Sequence, residues 1–259
     1  MKRIILSLVL LISAKALSQN TSIAIGEKLT YSASYVMSGL LTDLAEVTME
    51  TSEVNTSKSK LMKLKCTAAT YTKWDSFFKI RDLYESYVSP SSLTPYLYNR
   101  DINEGGYNKF MKYKFDHKTN TVASLKRKLK KDGSTVEEKK TVKIGNATRD
   151  LVTTLYYIRN MEIHKAKIGD NQNFTIIFDN KEMVINVKYL GKETLNSVLG
   201  KTECYKLAIS LKNSDVLKGN NDNLIWLSAD ANKIPIYAKF KIAVGSGELK
   251  LKRASGMLN

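Results

Sequence analysis

The chain has 259 residues, 41 of them Lys or Arg against 25 Asp or Glu, for a formal charge of +16. With no second apolar run of spanning length after the first residues and no nucleic-acid-binding motif, neither a membrane-crossing helix nor a nucleic-acid partner is expected. The charge points instead to anionic partners, or to lysines spread over solvent faces that keep strand edges from pairing.

The first segment, MKRIILSLVLLISAKALSQN, joins Lys2 and Arg3 to an apolar run from Ile4 to Ile12 and small residues at Ala16 and Ser18. That order predicts a cleaved signal peptide over 1–18, and hence a periplasmic or secreted chain. No cysteine lies near the cleavage point, so a lipid-modified N-terminus is not expected. Loss of Lys2, Arg3 and Lys15 with the leader lowers the charge to +13. No Pro-, Ser- or Gly-rich linker divides residues 19–259, which are expected to form one all-β domain.

Alternating apolar residues then recur along the chain, beginning with Leu29/Tyr31/Ala33/Tyr35, Met62/Leu64/Cys66/Ala68, Phe78 to Val88 and Tyr107 to Phe115. Later strands are predicted at Phe174/Ile176/Phe178, Met183 to Tyr189, Tyr205 to Leu211, Ile234 to Val244 and Leu249/Leu251. Turn chemistry at Gly105-Gly106, Asp132-Gly133, Gly169-Asp170 and Gly245-Ser246-Gly247 connects them as antiparallel meanders. The stretch 125–143 reads as a charged hairpin. Its cluster Lys126, Arg127, Lys128, Lys130 and Lys131 is the one dense enough to be a basic patch.

One segment departs from this period. NATRDLVTTLYYIRNME sets Leu151, Val152, Leu155, Tyr156 and Ile158 on a helical stripe, with Thr148 or Asn146 as cap and Asp150 in the first turn. The predicted fold is therefore mainly β: a large curved antiparallel sheet, an open or half barrel, with one main α-helix packed on it. Such a sheet either fills with side chains or leaves a cavity for an apolar ligand. Fourteen tyrosines suit the lining of a groove that meets both apolar ligand and water, and equally the rim of an ordinary core.

Strand phase puts Asp82 on an apolar row with Phe78, Ile80, Tyr84, Ser86 and Val88. A desolvated carboxylate needs a cation or several donors, and Arg100, Arg149 or Arg159 is the expected partner in a structural ion pair. Phase also argues against a Cys66–Cys204 bridge, since Cys66 shares the face of Met62 and Leu64 while Cys204 lies opposite Tyr205 and Leu207; a bulge could change that phase, so pairing stays open. His117 and His164 lack neighbours at metal-ligand spacing, no GxSxG elbow or phosphate loop is present, and neither a metal, a cofactor nor an enzyme activity is expected.

Five segments in order, GEKLTYSASY (26–35), FFKIRDLYESYV (77–88), PYLYNRDINEGG (95–106), RDLVTTLYYIR (149–159) and WLSADANKIPI (226–236), resemble the bacterial exported family called domain of unknown function 3108. The resemblance implies an all-β exported protein with no assigned activity, reminiscent at fold level of half-barrel carriers of lipoproteins and lipids. It points to Asp82, Glu104, Gly105, Arg159, Trp226, Asp230 and Pro235. The expected function is a non-catalytic carrier of an apolar or amphiphilic envelope ligand, lined by Tyr35, Tyr71, Trp74, Phe78, Tyr84, Tyr113 and Trp226. The alternative is an interaction module with a fully packed sheet. Candidate partners are a lipid or glycolipid, an anionic membrane surface or an envelope protein.

Overall fold

The structure is a computed structural model that describes residues 19–37, 40–57, 59–130, 132–211, 223–242 and 245–259. The leader, Lys131 and Val244 lie outside the described residues.

Among the described residues, fourteen strands form one antiparallel sheet. The first eight are β1 (Lys28–Met37), β2 (Leu40–Asn55), β3 (Lys60–Thr70), β4 (Arg81–Val88), β5 (Pro95–Glu104), β6 (Tyr107–Asp116), β7 (Thr121–Leu129) and β8 (Thr135–Lys143). After the helix α1 (Leu151–Ile158) come β9 (Asn171–Phe178), β10 (Lys181–Ser197), β11 (Gly200–Leu211), β12 (Leu224–Ser228), β13 (Pro235–Ile242) and β14 (Gly245–Ser255). Their order in space is β8-β7-β6-β5-β4-β3-β2-β1-β14-β13-β12-β11-β10-β9. The chain thus starts mid-sheet, meanders to one edge, passes through α1, and returns from the other edge to pair β14 with β1. Connections after odd-numbered strands all fall on one rim, and those after even-numbered strands on the other.

Bulges bend the sheet at Thr30/Tyr31, Ala33/Ser34, Tyr189/Gly191 and Trp226/Leu227, where an extra residue kinks a strand and sharpens its twist. At Gly191 (φ 112°) a side chain would both strain the backbone and crowd the Ile168 side chain. The bent sheet does not close into a barrel: β8 and β9 remain edges. The β9 edge is capped by one parallel bridge from Arg149, whose N–H donates to Thr175 O and whose carbonyl accepts from Ile177 N. The β8 edge is an exposed run of Lys and Glu, which discourages pairing with another chain.

The two arms meet through the turn between β9 and β10. Asp179 and Asn180 both have positive φ, 45° and 65°, a conformation that their short polar side chains tolerate and that a two-residue hairpin requires. This turn docks on the inward face of β5–β7. Asp179 pairs with Arg100 and, at 2.8 Å, with Lys109; Asn180 accepts from Ser124 Oγ (2.6 Å) and donates its N–H to Tyr113 Oη (3.1 Å).

α1 begins at Leu151 rather than nearer Thr148, because Arg149 is spent on the β9 bridge. The cap is Asp150, not Thr148 or Asn146: its Oδ1 accepts from Thr153 N (2.8 Å), and its Oδ2 from Ser86 Oγ and Thr153 Oγ1 (2.7 Å each). Burial pushes this carboxyl pKa up, against the hydrogen bonds from Thr153 and Ser86 that pull it down. The helix lies inside the curve, against β3, β4 and β9. One side, Val152 and Tyr156, packs into a core with Leu29, Met62, Leu64, Met111 and Tyr113. A second cluster joins Ile158 to Phe174, Ile176, Ile185, Val187 and Leu207.

Candidate functional site: an apolar cavity under the helix

A predominantly apolar cavity of about 350 Å³ lies between α1 and the inward faces of β9–β14, β1 and β2. Strand alternation supplies its walls: Ile176 and Phe178, Met183 and Ile185, Ile209 and Leu211, Ile225, Ala238 and Phe240, Leu249, Tyr31, and Val47 with Met49. Leu151, Leu155 and Ile158, at i, i+4 and i+7, form its helical side. Apart from tyrosines, the only polar side chains among the lining residues are those of Thr154, Asn223 and Lys239. The cavity side of the helix is packed at its end and open before it: Ile158 is buried in the second cluster, whereas Leu155 keeps 36% of its surface exposed; on the other side Tyr156 is fully buried. The cavity volume lies at the lower end of the roughly 300–1,000 Å³ typical of ligand pockets.

One end of this interior is sealed by a buried ion pair. Arg159, the residue after α1, grips both oxygens of Glu27 (2.6 and 2.7 Å) and donates to the carbonyls of Ser22 (3.0 Å) and Asn232 (3.0 and 3.1 Å). Both side chains are wholly buried. The fork joins the N-terminal segment, the helix end and the β12–β13 turn, and satisfies every charge it buries. Glu27 precedes Leu29, Tyr31 and Ala33 in the same phase, so the alternation that singles out Asp82 could have found it.

Asp82 is buried as expected, but its partner is not an arginine. Its Oδ1 accepts the Asn103 N–H (2.9 Å), Tyr84 Oη lies 3.4 Å from Oδ2, and no ion pair to it forms among the described residues. The candidate cations are engaged elsewhere: Arg100 by Asp179 and the Phe178 ring, Arg159 by Glu27, and Arg149 by Tyr157, whose ring centre lies 3.6 Å from the guanidinium. Asp82 instead sits beside Glu104. Burial, then the Asp82 charge, pushes the Glu104 carboxyl up to about 7. A carboxyl that binds its proton more tightly folded than unfolded favours the fold fully below its ordinary value of 4.5, and loses that contribution as pH rises through about 7. Glu104→Gln is accordingly expected to raise Tm at pH 8 by about 3 °C, roughly 1 kcal/mol after allowance for solvent screening, and to leave it unchanged at pH 4. Thermal unfolding at both pH values checks this.

None of the seven aromatic residues expected to line a ligand groove borders the cavity. Tyr84 and Tyr113 point inward on β4 and β6 but pack on the opposite arm's core, Tyr113 stacking on Tyr98. Trp226 is buried in the main core away from the cavity, packs against Tyr237, and donates Nε1–H to Glu193 (3.1 Å). Tyr71, Trp74 and Phe78 do not continue a strand: Thr72–Trp74 is a 3-10 turn whose Trp74 carbonyl accepts from Phe77 and Phe78, and a paired Asp75–Arg81 holds it shut. Phe78 covers Gly105, and Tyr35 lies against Gly245. The basic cluster is divided by alternation, Lys126 and Lys128 on one face and Arg127 on the other, with Lys126 and Arg127 neutralised by Glu138 and Glu137.

Asp230 organises the β12–β13 turn by accepting from Ser228 Oγ, Asn232 N and Lys233 N, a structural role for that family position. Both cysteines are free, and burial pushes their thiols up to about 12 (Cys66) and about 11 (Cys204), so neither is a poised thiolate. No group of three or more metal-binding side chains occurs among the described residues.

A sheet curled around one helix, with an apolar hollow beneath that helix, defines a β-barrel-like class of protein. The chain belongs to the family described as protein of unknown function DUF3108, which it matches over residues 30–252. Among solved structures it is similar to a β-barrel-like protein of domain of unknown function DUF1849 from Brucella abortus, at 10% identity and TM-score 0.53, covering 90% of this chain and 98% of that one. It also aligns with a Bacteroides fragilis protein described as exported, with a YmcC-like fold, at 9% identity and TM-score 0.34, covering 91% and 98%. No curated protein matches it.

Proposed function

We propose that the chain is an exported, non-catalytic carrier that holds one apolar or amphiphilic envelope molecule in the cavity beneath α1. The observation that supports this reading most is Leu155, which borders a hollow walled by apolar side chains and keeps 36% of its surface exposed. Leaving that much apolar surface uncovered costs about 25 cal/mol per Å² relative to filling it, a cost that an apolar ligand relieves. The leader-like sequence at the N-terminus supports export of such a carrier to a compartment where lipids must cross an aqueous space.

Native mass spectrometry of the chain recovered gently from an exported fraction tests the reading. A discrete adduct with the mass of a single-chain lipid or another small apolar molecule is expected, and it should dissociate on collisional activation. A clean unliganded mass, together with no uptake of an added fatty acid, would contradict it.

A further inference from the structure

The rim that receives the connections after odd-numbered strands also receives the upper end of the cavity, since Phe178, Leu211, Leu224 and Phe240 lie at the rim ends of β9, β11, β12 and β13. Along the other arm the same rim presents apolar side chains to solvent. Leu40 (73% exposed) and Leu41 (51%) open β2, and Phe77 (70%) projects from the 3-10 turn. The row is physically continuous: Tyr71 N–H and Trp74 Nε1–H donate to the carbonyls of Leu44 and Asp43, Phe78 covers Gly105, and Tyr107 follows at the next turn with Lys128 5.2 Å from its ring centre. Lys73, 5.7 Å from the Trp74 ring centre, and Lys79, Lys128 and Lys130 stand among these residues with no carboxylate within 4 Å among the described residues.

We infer that this rim docks on an anionic lipid bilayer and that the cavity exchanges its ligand there; the second clause rests on the carrier reading. Apolar residues spread over separate turn tips suit a soft bilayer better than a flat partner face. Aromatic rings with polar edges, flanked by lysines whose stems are apolar and whose heads are charged, match the chemistry of the headgroup boundary. Unpaired lysines at that height are attracted to anionic headgroups and not to zwitterionic ones.

The test is co-sedimentation of residues 19–259, without the apolar leader, with vesicles of phosphatidylcholine alone or mixed with phosphatidylglycerol. Binding is expected to the mixed vesicles and to weaken with salt. Leu40→Ser/Leu41→Ser/Phe77→Ser should reduce it about tenfold or more, and Lys73→Gln/Lys79→Gln/Lys128→Gln should remove the preference for anionic lipid. The opposite-rim variant Val198→Ser/Leu199→Ser should bind like the parent. Uptake of a fluorescent fatty acid without vesicles separates the two readings: the Ser variant should still take up the probe, confirming an intact fold and cavity. A parent chain that takes up probe but ignores mixed vesicles overturns docking and leaves the carrier reading in place. Equal vesicle binding by the Ser variant, or a parent dimer in solution that this variant makes monomeric, also overturns docking.

Discussion

Replacing Arg159 by methionine is expected to destabilise the protein by about 3–5 kcal/mol, lowering Tm by about 10 °C or more. The reason is what the substitution leaves behind. Glu27, wholly buried, would be left without its partner, and the Ser22 and Asn232 carbonyls would lose their donor. Glu27→Gln should be damaging for the converse reason, since it strands the guanidinium. The double variant Glu27→Leu/Arg159→Met removes both charges and should recover most of the loss, because an apolar pair of similar volume is often as stable as a buried ion pair. Chemical denaturation of the three variants checks this. A change below about 1 kcal/mol in Arg159→Met would show that the fork does not hold the end of the sheet closed.

Leu155→Trp should abolish most ligand uptake while leaving the fold intact. Leu155 lines the cavity and is not enclosed by packing, so an indole there has room that a packed core would deny it, where overfilling costs about 1–3 kcal/mol. Affinity for a fluorescent fatty acid should fall about tenfold or more because the added rings occupy the ligand's volume, with stability changed by less than about 1 kcal/mol. Tyr156→Ala, one residue on and fully buried on the packed side of the same helix, should instead cost about 3–5 kcal/mol. Unfolding and dye titration together distinguish the two sides of α1.

The apolar strands were legible because each buries one face: Leu29/Tyr31, Met62/Leu64, Ile185/Val187 and Leu207/Ile209 all point into the curve as their alternation requires. β5 was harder to read because its inward row holds Arg100 and Glu104 as well as Tyr98 and Ile102. β8 carries no apolar alternation, being an edge whose two faces both meet water, and was legible only as the second arm of the charged hairpin over 125–143. Phe78 and Trp74 share the strand period but not the strand, since a 3-10 turn stapled by Asp75 and Arg81 overrides it. The site was less legible than the fold. Aromatic content draws attention to Tyr84, Tyr113 and Trp226, but these belong to close packing away from the cavity. The cavity is walled by aliphatic residues of the late strands, which look like ordinary core in one dimension. Which apolar row is packed and which faces a hollow depends on how the Asp179–Asn180 turn bridges the arms, and that contact joins residues far apart in sequence.

A paramagnetic NMR titration tests the cavity most directly, using a chain with labelled Ile, Leu and Val methyl groups and a spin-labelled fatty acid. Selective broadening of the Leu151, Leu155, Ile185, Ile209 and Leu249 methyls is expected, with Leu125 and Val198 on the outside staying sharp. Broadening of the outer methyls alone, or none at saturating probe, would contradict an apolar binding site beneath the helix.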